Sequence, residues 1–95
     1  MLFRSLIAVR EKLRRTYAWL DGWLAYYPVL GQITLVECAA APALFYADWV
    51  EQIGDETPRL KAWRDHLNSL PPVARCIEAA RPYRNYFPLG APDRD

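Results

Sequence analysis

Apolar residues recur at three- and four-residue steps through the first part of the chain. Leu6, Val9, Leu13, Tyr17, Leu20, Leu24 and Tyr27 form one continuous stripe. That spacing is the mark of an amphipathic helix. It predicts a first helix from about Leu2 or Phe3 to Tyr26, stopped by Pro28. A second stripe of Thr16, Trp19, Trp23 and Tyr26 runs beside the first. At about 100° per residue the two together cover roughly half of the helix circumference. Packing against one neighbour needs a single stripe, so the second points to a further contact.

The next predicted helix, Leu35 to about Ile53, has a different pattern. Between Cys38 and Val50 only Asp48 is charged. A helix that is apolar all round is wrapped by other helices, so this segment is expected to be the central helix. Its start carries a capping signature. Thr34 is followed three residues later by Glu37, so the hydroxyl can accept from the Glu37 N–H while the carboxylate reaches back to the Thr34 N–H. Ile33 and Cys38 are placed to staple that entry. Pro42 lies inside the helix and predicts a kink, and Gly54 fits the position that stops it.

Two shorter helices follow. Thr57 as N-cap and Pro58 at the first helical position open a third helix, with Leu60, Trp63, Leu67 and Leu70 as its buried stripe. Pro71 closes it, and Pro72 sets the first turn of a fourth helix with Val73, Ile77 and Ala80 inward, ended by Pro82. The tail from about Tyr83 is expected to be extended, with Tyr83, Tyr86 and Phe87 pinned to the helices and fraying beyond Gly90. No stretch alternates with period two over a strand's length. The expected fold is all-α, a small bundle of about four helices, in one domain over residues 1–95.

Composition sharpens this picture in a few places. The hydrophobic fraction of 53% with 14% aromatic residues excludes a disordered chain. In 95 residues there is room for one core with a small stability margin. A net charge of +1 gives no overall pull toward nucleic acid or membrane. The charges are uneven, however: Arg4, Arg10, Lys12, Arg14 and Arg15 crowd the first helix, and Asp48, Glu51, Asp55 and Glu56 crowd the end of the second. They read as solvated faces that attract each other. Cys38 and Cys76 sit in apolar helical stretches and are expected to be reduced and buried, as in a cytoplasmic protein. No uncharged run, Cys38 to Ala47 included, is long enough to span a bilayer.

Catalytic and metal-binding patterns are thin. His66 stands alone beside Asp65, without the further nitrogen or sulfur ligands that a metal needs or a cysteine partner for nucleophilic catalysis. Glu51, Asp55 and Glu56 suit a solvated helix end, and Ser5 and Ser69 have no partnering base. The four glycines are scattered turn residues and form no phosphate loop. Arg10, Arg14 and Arg15 with interleaved aromatics raise a nucleic-acid reading, but Glu11 interrupts the run and no helix-turn-helix or zinc pattern accompanies it. No catalytic residue and no metal ligand is assigned.

Gly31-Gln32-Ile33-Thr34-Leu35-Val36-Glu37-Cys38 resembles the opening of the buried helix in the C-terminal helical domain of cytosolic glutathione transferases, usually worded close to Thr-Leu-Ala-Asp-Cys-Ala. Thr57-Pro58-Arg59-Leu60-Lys61-Ala62-Trp63 looks like the family's Pro-x-Leu-x-x-Trp helix start. Leu70-Pro71-Pro72-Val73-Ala74-Arg75 resembles its Arg-Pro-Ser-Val-x-Arg turn, with Leu70 and Pro72 as departures. Arg81-Pro82-Tyr83 and Tyr86-Phe87-Pro88 are similar to the tail of bacterial members. The resemblance spans roughly residues 5 to 90 and gains its weight from order and spacing together.

The resemblance implies a set of functional expectations. In the family, glutathione is the co-substrate and is held chiefly by an N-terminal thioredoxin-like domain, which also supplies the activating side chain. The 95 residues hold no βαβ pattern for that domain, so the chain on its own is expected to bind no cofactor and not to conjugate glutathione. They are expected to form only the later part of the helical domain, as a truncated frame or one part of a split protein. The apolar second substrate lies against the central helix in the family, which makes Tyr46 and Trp49 candidate substrate-binding residues and leaves Phe45 to the core. Thr34 and Glu37 are the structural capping box. The alternative is a stand-alone interaction module or homo-oligomer, since transferase-like helical domains serve as assembly adaptors. Trp19, Trp23 and Tyr26 would be its interface, toward a protein partner or a second copy in a dimer.

Overall fold

The structure is a computed structural model that describes residues 2–29 and 32–95, with side chains from Arg4 onward. Leu30 and Gly31, part of the turn expected ahead of the capping box, and the side chains of Leu2 and Phe3 lie outside the described residues. Among the described residues four α-helices follow one another: α1 (Leu2–Trp23), α2 (Leu35–Val50), α3 (Pro58–Ser69) and α4 (Pro71–Ala80). A 3₁₀ helix, Arg81–Tyr86, continues directly from α4. Among the described residues there is no strand. The fold is all-α.

The core gathers around α3 rather than α2. Its Leu60 and Leu67 are fully buried, Trp63 nearly so, and α3 packs on α1, α2 and α4. Leu60, Trp63 and Leu67 meet Tyr17 from α1, Leu24 just beyond its end, and Ala41 and Leu44 from α2. The expectation that α2 is wrapped on all sides is corrected by the structure. Leu44, Phe45 and Trp49 are buried, whereas Leu35, Val36 and Tyr46 are exposed. An apolar helix with one bare side is the main departure from a closed bundle.

Helix ends are tied by groups from other elements. The α1 helix stops at Trp23, short of the Tyr26 expected, and Tyr26 and Tyr27 close the turn by donating to the Trp23 carbonyl at 3.0 and 3.3 Å. The α2 helix stops at Val50 with Glu51 as an extended C-cap, so Gly54 is not its terminator. Among the described residues only Gly90 has a positive φ, 81°, where a side chain would be strained. The orphan carbonyls at the end of α2 are satisfied from α1. Arg10 Nε donates to Val50 O at 3.0 Å and Tyr17 OH to Glu51 O at 2.8 Å. The Arg14–Glu51 ion pair at 2.7 Å lies beside them. Two guanidinium groups there also oppose the negative end of the helix dipole.

Thr57 is the N-cap of α3 but its side chain makes no capping bond. Asp21 of α1 does so in its place, accepting the Leu60 N–H at 2.9 Å.

Candidate functional site

The start of α2 is the most tightly specified point of the chain. Its capping box is closed, and the Thr34 hydroxyl also accepts from the Val36 N–H at 3.2 Å. Glu37 accepts from the Thr34 N–H at 2.8 Å and from the Thr34 hydroxyl. A third donor comes from outside the motif, the Tyr27 hydroxyl at 2.6 Å. These bonds favour the charged carboxylate, and the Thr34 and Tyr27 hydroxyls hold Glu37 well below its usual range, at about 2. The sequence pattern places Tyr27 only on the apolar stripe of the first predicted helix. Its hydroxyl reaches a carboxylate ten residues on, a contact that residue spacing does not reveal.

A groove of about 350 Å³ opens along the bare side of α2. Cys38, Pro42 and Tyr46 face it from α2, and Val73, Cys76 and Ile77 from α4. It exists because α4 packs on α3 while its own apolar face stays half-buried, with no residue fully covered. Both cysteines are exposed thiols on this groove. The expectation that they are buried is corrected here: each lies in an apolar stretch, but on the side of its helix that no neighbour covers. Ile33 and Cys38 line the groove together, and Ile33 is exposed.

Tyr46 and Trp49, the candidate substrate residues, lie edge to face at 5.2 Å between ring centroids, yet their surroundings differ. Tyr46 is 45% exposed and borders the groove. Trp49 is buried under the tail: Phe87 meets it edge-on at 5.1 Å and the Arg84 guanidinium lies 5.3 Å over its ring. Trp49 therefore packs as a core residue, and Tyr46 is the accessible member of the pair.

The tail does not fray beyond Gly90. Asp48, 3% exposed, is the single carboxylate in the later part of α2. It accepts the Ile53 N–H at 2.8 Å, lies 3.7 Å from buried Arg64, and takes Arg94 Nε at 2.9 Å. Arg94 also donates to the Asp48 carbonyl at 2.8 Å. Asp95 pairs with Arg81 at 2.9 Å and with Arg84. Residues 81–95 thus form a strap across the Phe45–Tyr46–Trp49 ring cluster. A buried charge demands partners, and the tail arginine completes that demand.

The interface candidates separate in the same way. Trp19 is 66% and Tyr26 89% exposed. Trp23 is drawn inward, stacking on Tyr27 at 4.5 Å and meeting Trp63 at 6.1 Å. His66 is half-buried at the end of α3, and among the described residues no cluster of histidine, cysteine and carboxylate side chains could hold a metal. No helix among them is long and apolar enough to cross a membrane. Of the basic residues on α1, Arg10 and Arg14 are engaged at the end of α2.

An all-helical fold with a closed Thr-x-x-Glu box at the start of an apolar helix and a Thr-Pro start to the next helix invites comparison with known families. The model for the glutathione S-transferase C-terminal domain matches residues 5–71. The chain belongs to the glutathione S-transferase C-terminal domain family. The match runs from α1 to the first residue of α4 and includes the capping box, Tyr46, and both helices that flank the Asp48–Arg64 pair. No curated protein and no solved structure matches the chain. Among the described residues an apolar groove edged by Tyr46 stays open, and the polar geometry holds helix ends and tail in place.

Proposed function

We propose that this domain supplies the apolar-substrate wall of a glutathione-conjugating transferase of the bacterial type, with Tyr46 as the aromatic side chain that meets the substrate. The observation that carries the reading is the bare side of α2. In a transferase-family helical domain, an apolar helix keeps one side open along a groove of about 350 Å³ and presents Tyr46 there. An apolar lining suits an apolar second substrate, because withdrawing its surface from water drives binding. Glutathione, as co-substrate, and the group that activates its thiol belong to a thioredoxin-like domain in this reading. The helical residues orient the apolar substrate and make no covalent step. Trp49 contributes by stiffening the wall from behind.

Titration with 8-anilinonaphthalene-1-sulfonate, followed by its fluorescence, tests the wall. Saturable binding is expected, and Tyr46→Ala should weaken it about fivefold, the loss of one aromatic contact. Unsaturable binding, or a Tyr46→Ala variant that binds as tightly as the parent, would reject the reading.

A second reading, an interaction module in the cytoplasm that docks on a protein partner or on itself through α1, is favoured by the exposure of Trp19 and Tyr26. Aromatic patches left open in this way mark interfaces. Sedimentation velocity over a rising concentration series should then give a dimer that Trp19→Ala disperses. A species that stays monomeric throughout excludes self-association.

A further inference from the structure

The groove between α2 and α4 brings together two features that the proposed wall does not use: the free thiols of Cys38 and Cys76. One comes from the first turns of α2 and the other from the middle of α4. Both are exposed, and both line the same apolar space with Pro42, Tyr46, Val73 and Ile77. Neither is in a disulfide.

We propose that this groove is a covalent modification site for apolar, soft electrophiles of the α,β-unsaturated carbonyl class, with Cys38 and Cys76 as the nucleophiles. The groove concentrates an apolar reagent next to sulfur, which converts part of a bimolecular encounter into a local one. The thiolate is the attacking form. Its sulfur adds to one alkene carbon, a C–S bond forms as the C=C π bond breaks, and the resulting enolate takes a proton from water. The thiol proton has gone to solvent. Atoms and electrons balance without an oxidant or reductant. The inference needs only the apolar lining and the two sulfurs, so it stands whether or not the groove also serves a transferase.

The test compares N-phenylmaleimide with N-ethylmaleimide on the full chain, following adducts at each cysteine by mass spectrometry of digests. The ratio of the two rates on the folded protein is divided by the ratio measured in guanidinium chloride, which removes intrinsic reactivity. A folded-state preference of about tenfold for the phenyl reagent is expected at one or both cysteines, as withdrawal of the ring from water predicts. Ile77→Arg, which puts a charge on the half-exposed groove face of α4, should abolish the preference while the circular dichroism stays that of the parent. Equal ratios in the folded and unfolded protein at both cysteines would overturn the proposal. So would a preference that Ile77→Arg leaves intact, since the groove would then not be its source. The dye titration above reads reversible binding at Tyr46 and fails or succeeds independently of these rates.

Discussion

Glu37 shows how one side chain can hold two segments together. Its carboxylate takes both the backbone N–H and the hydroxyl of Thr34 and the Tyr27 hydroxyl, so the entry to α2 and the exit from α1 meet on one charge. Thr34→Ala removes the cap and should lower stability by about 1 kcal/mol in urea unfolding. The acid response follows from the direction of the pKa shift. Glu37 is held down to about 2 from a usual value of 4.5, so the folded state favours the carboxylate. Its contribution is complete above about pH 4.5 and is lost as pH falls toward 2. Urea unfolding at a series of pH values should therefore find Glu37→Gln less stable than the parent above about pH 4.5, with the gap closing as pH falls toward 2. Tyr27→Phe, which removes one donor, should raise the pH at which the loss is complete and make the total loss smaller. A Tyr27→Phe profile that overlays the parent would show that the hydroxyl bond contributes nothing to the titration. At this scale Thr34 and Glu37 are readable from spacing alone, but Tyr27 is not, because its bond to Glu37 spans ten residues and follows no helical repeat.

Between elements, the pattern of stripes conveys helix identity better than helix rank. The starts at Leu35, Pro58 and Pro71 follow from Thr and Pro chemistry that acts within a few residues. The hub is different. Being uniformly apolar, α2 reads as central, yet α3, with charged residues on most of its surface, carries the two fully buried leucines. Hydrophobicity records what a helix can bury, and neighbours decide what it does bury. The caps supplied across the structure are equally hidden from local sequence. Asp21 caps α3 from α1, so Asp21→Ala should destabilise by about 1 kcal/mol, an effect absent if Thr57 were the working cap. The strap makes a sharper prediction. Its outer pair, Arg81 with Asp95, is 43% exposed on each side and open to screening, whereas Arg94 grips the nearly buried carboxylate of Asp48. Hydrogen exchange over residues 87–95 should accelerate strongly in Arg94→Ala and scarcely in Arg81→Ala. Asp48→Asn strands Arg64 and Arg94 together and should cost about 3 kcal/mol or more. The one signal in the sequence for this strap was Asp48 itself, a lone charge in an apolar helix with arginines waiting in the tail.

For the whole molecule, the chemistry divides cleanly. Polar geometry is spent on helix ends and on the strap, and the open apolar surfaces are a groove along α2 edged by Tyr46, with two thiols at its wall, and a separate aromatic patch of Trp19 and Tyr26 at the end of α1. That division is the reason for reading a transferase-family domain as a substrate wall rather than as a site for glutathione. The family could be read from ordered short motifs. The groove could not, because periodicity places apolar residues on a face without saying whether another helix covers it. The most direct measurement is thermal unfolding of the purified chain in three conditions: alone, with 8-anilinonaphthalene-1-sulfonate, and with millimolar glutathione. A ligand that binds only the folded state raises the midpoint by mass action. The account predicts a cooperative transition that the apolar dye shifts upward and glutathione leaves unmoved. A rise with glutathione and none with the dye would place a glutathione site on these helices and contradict the account.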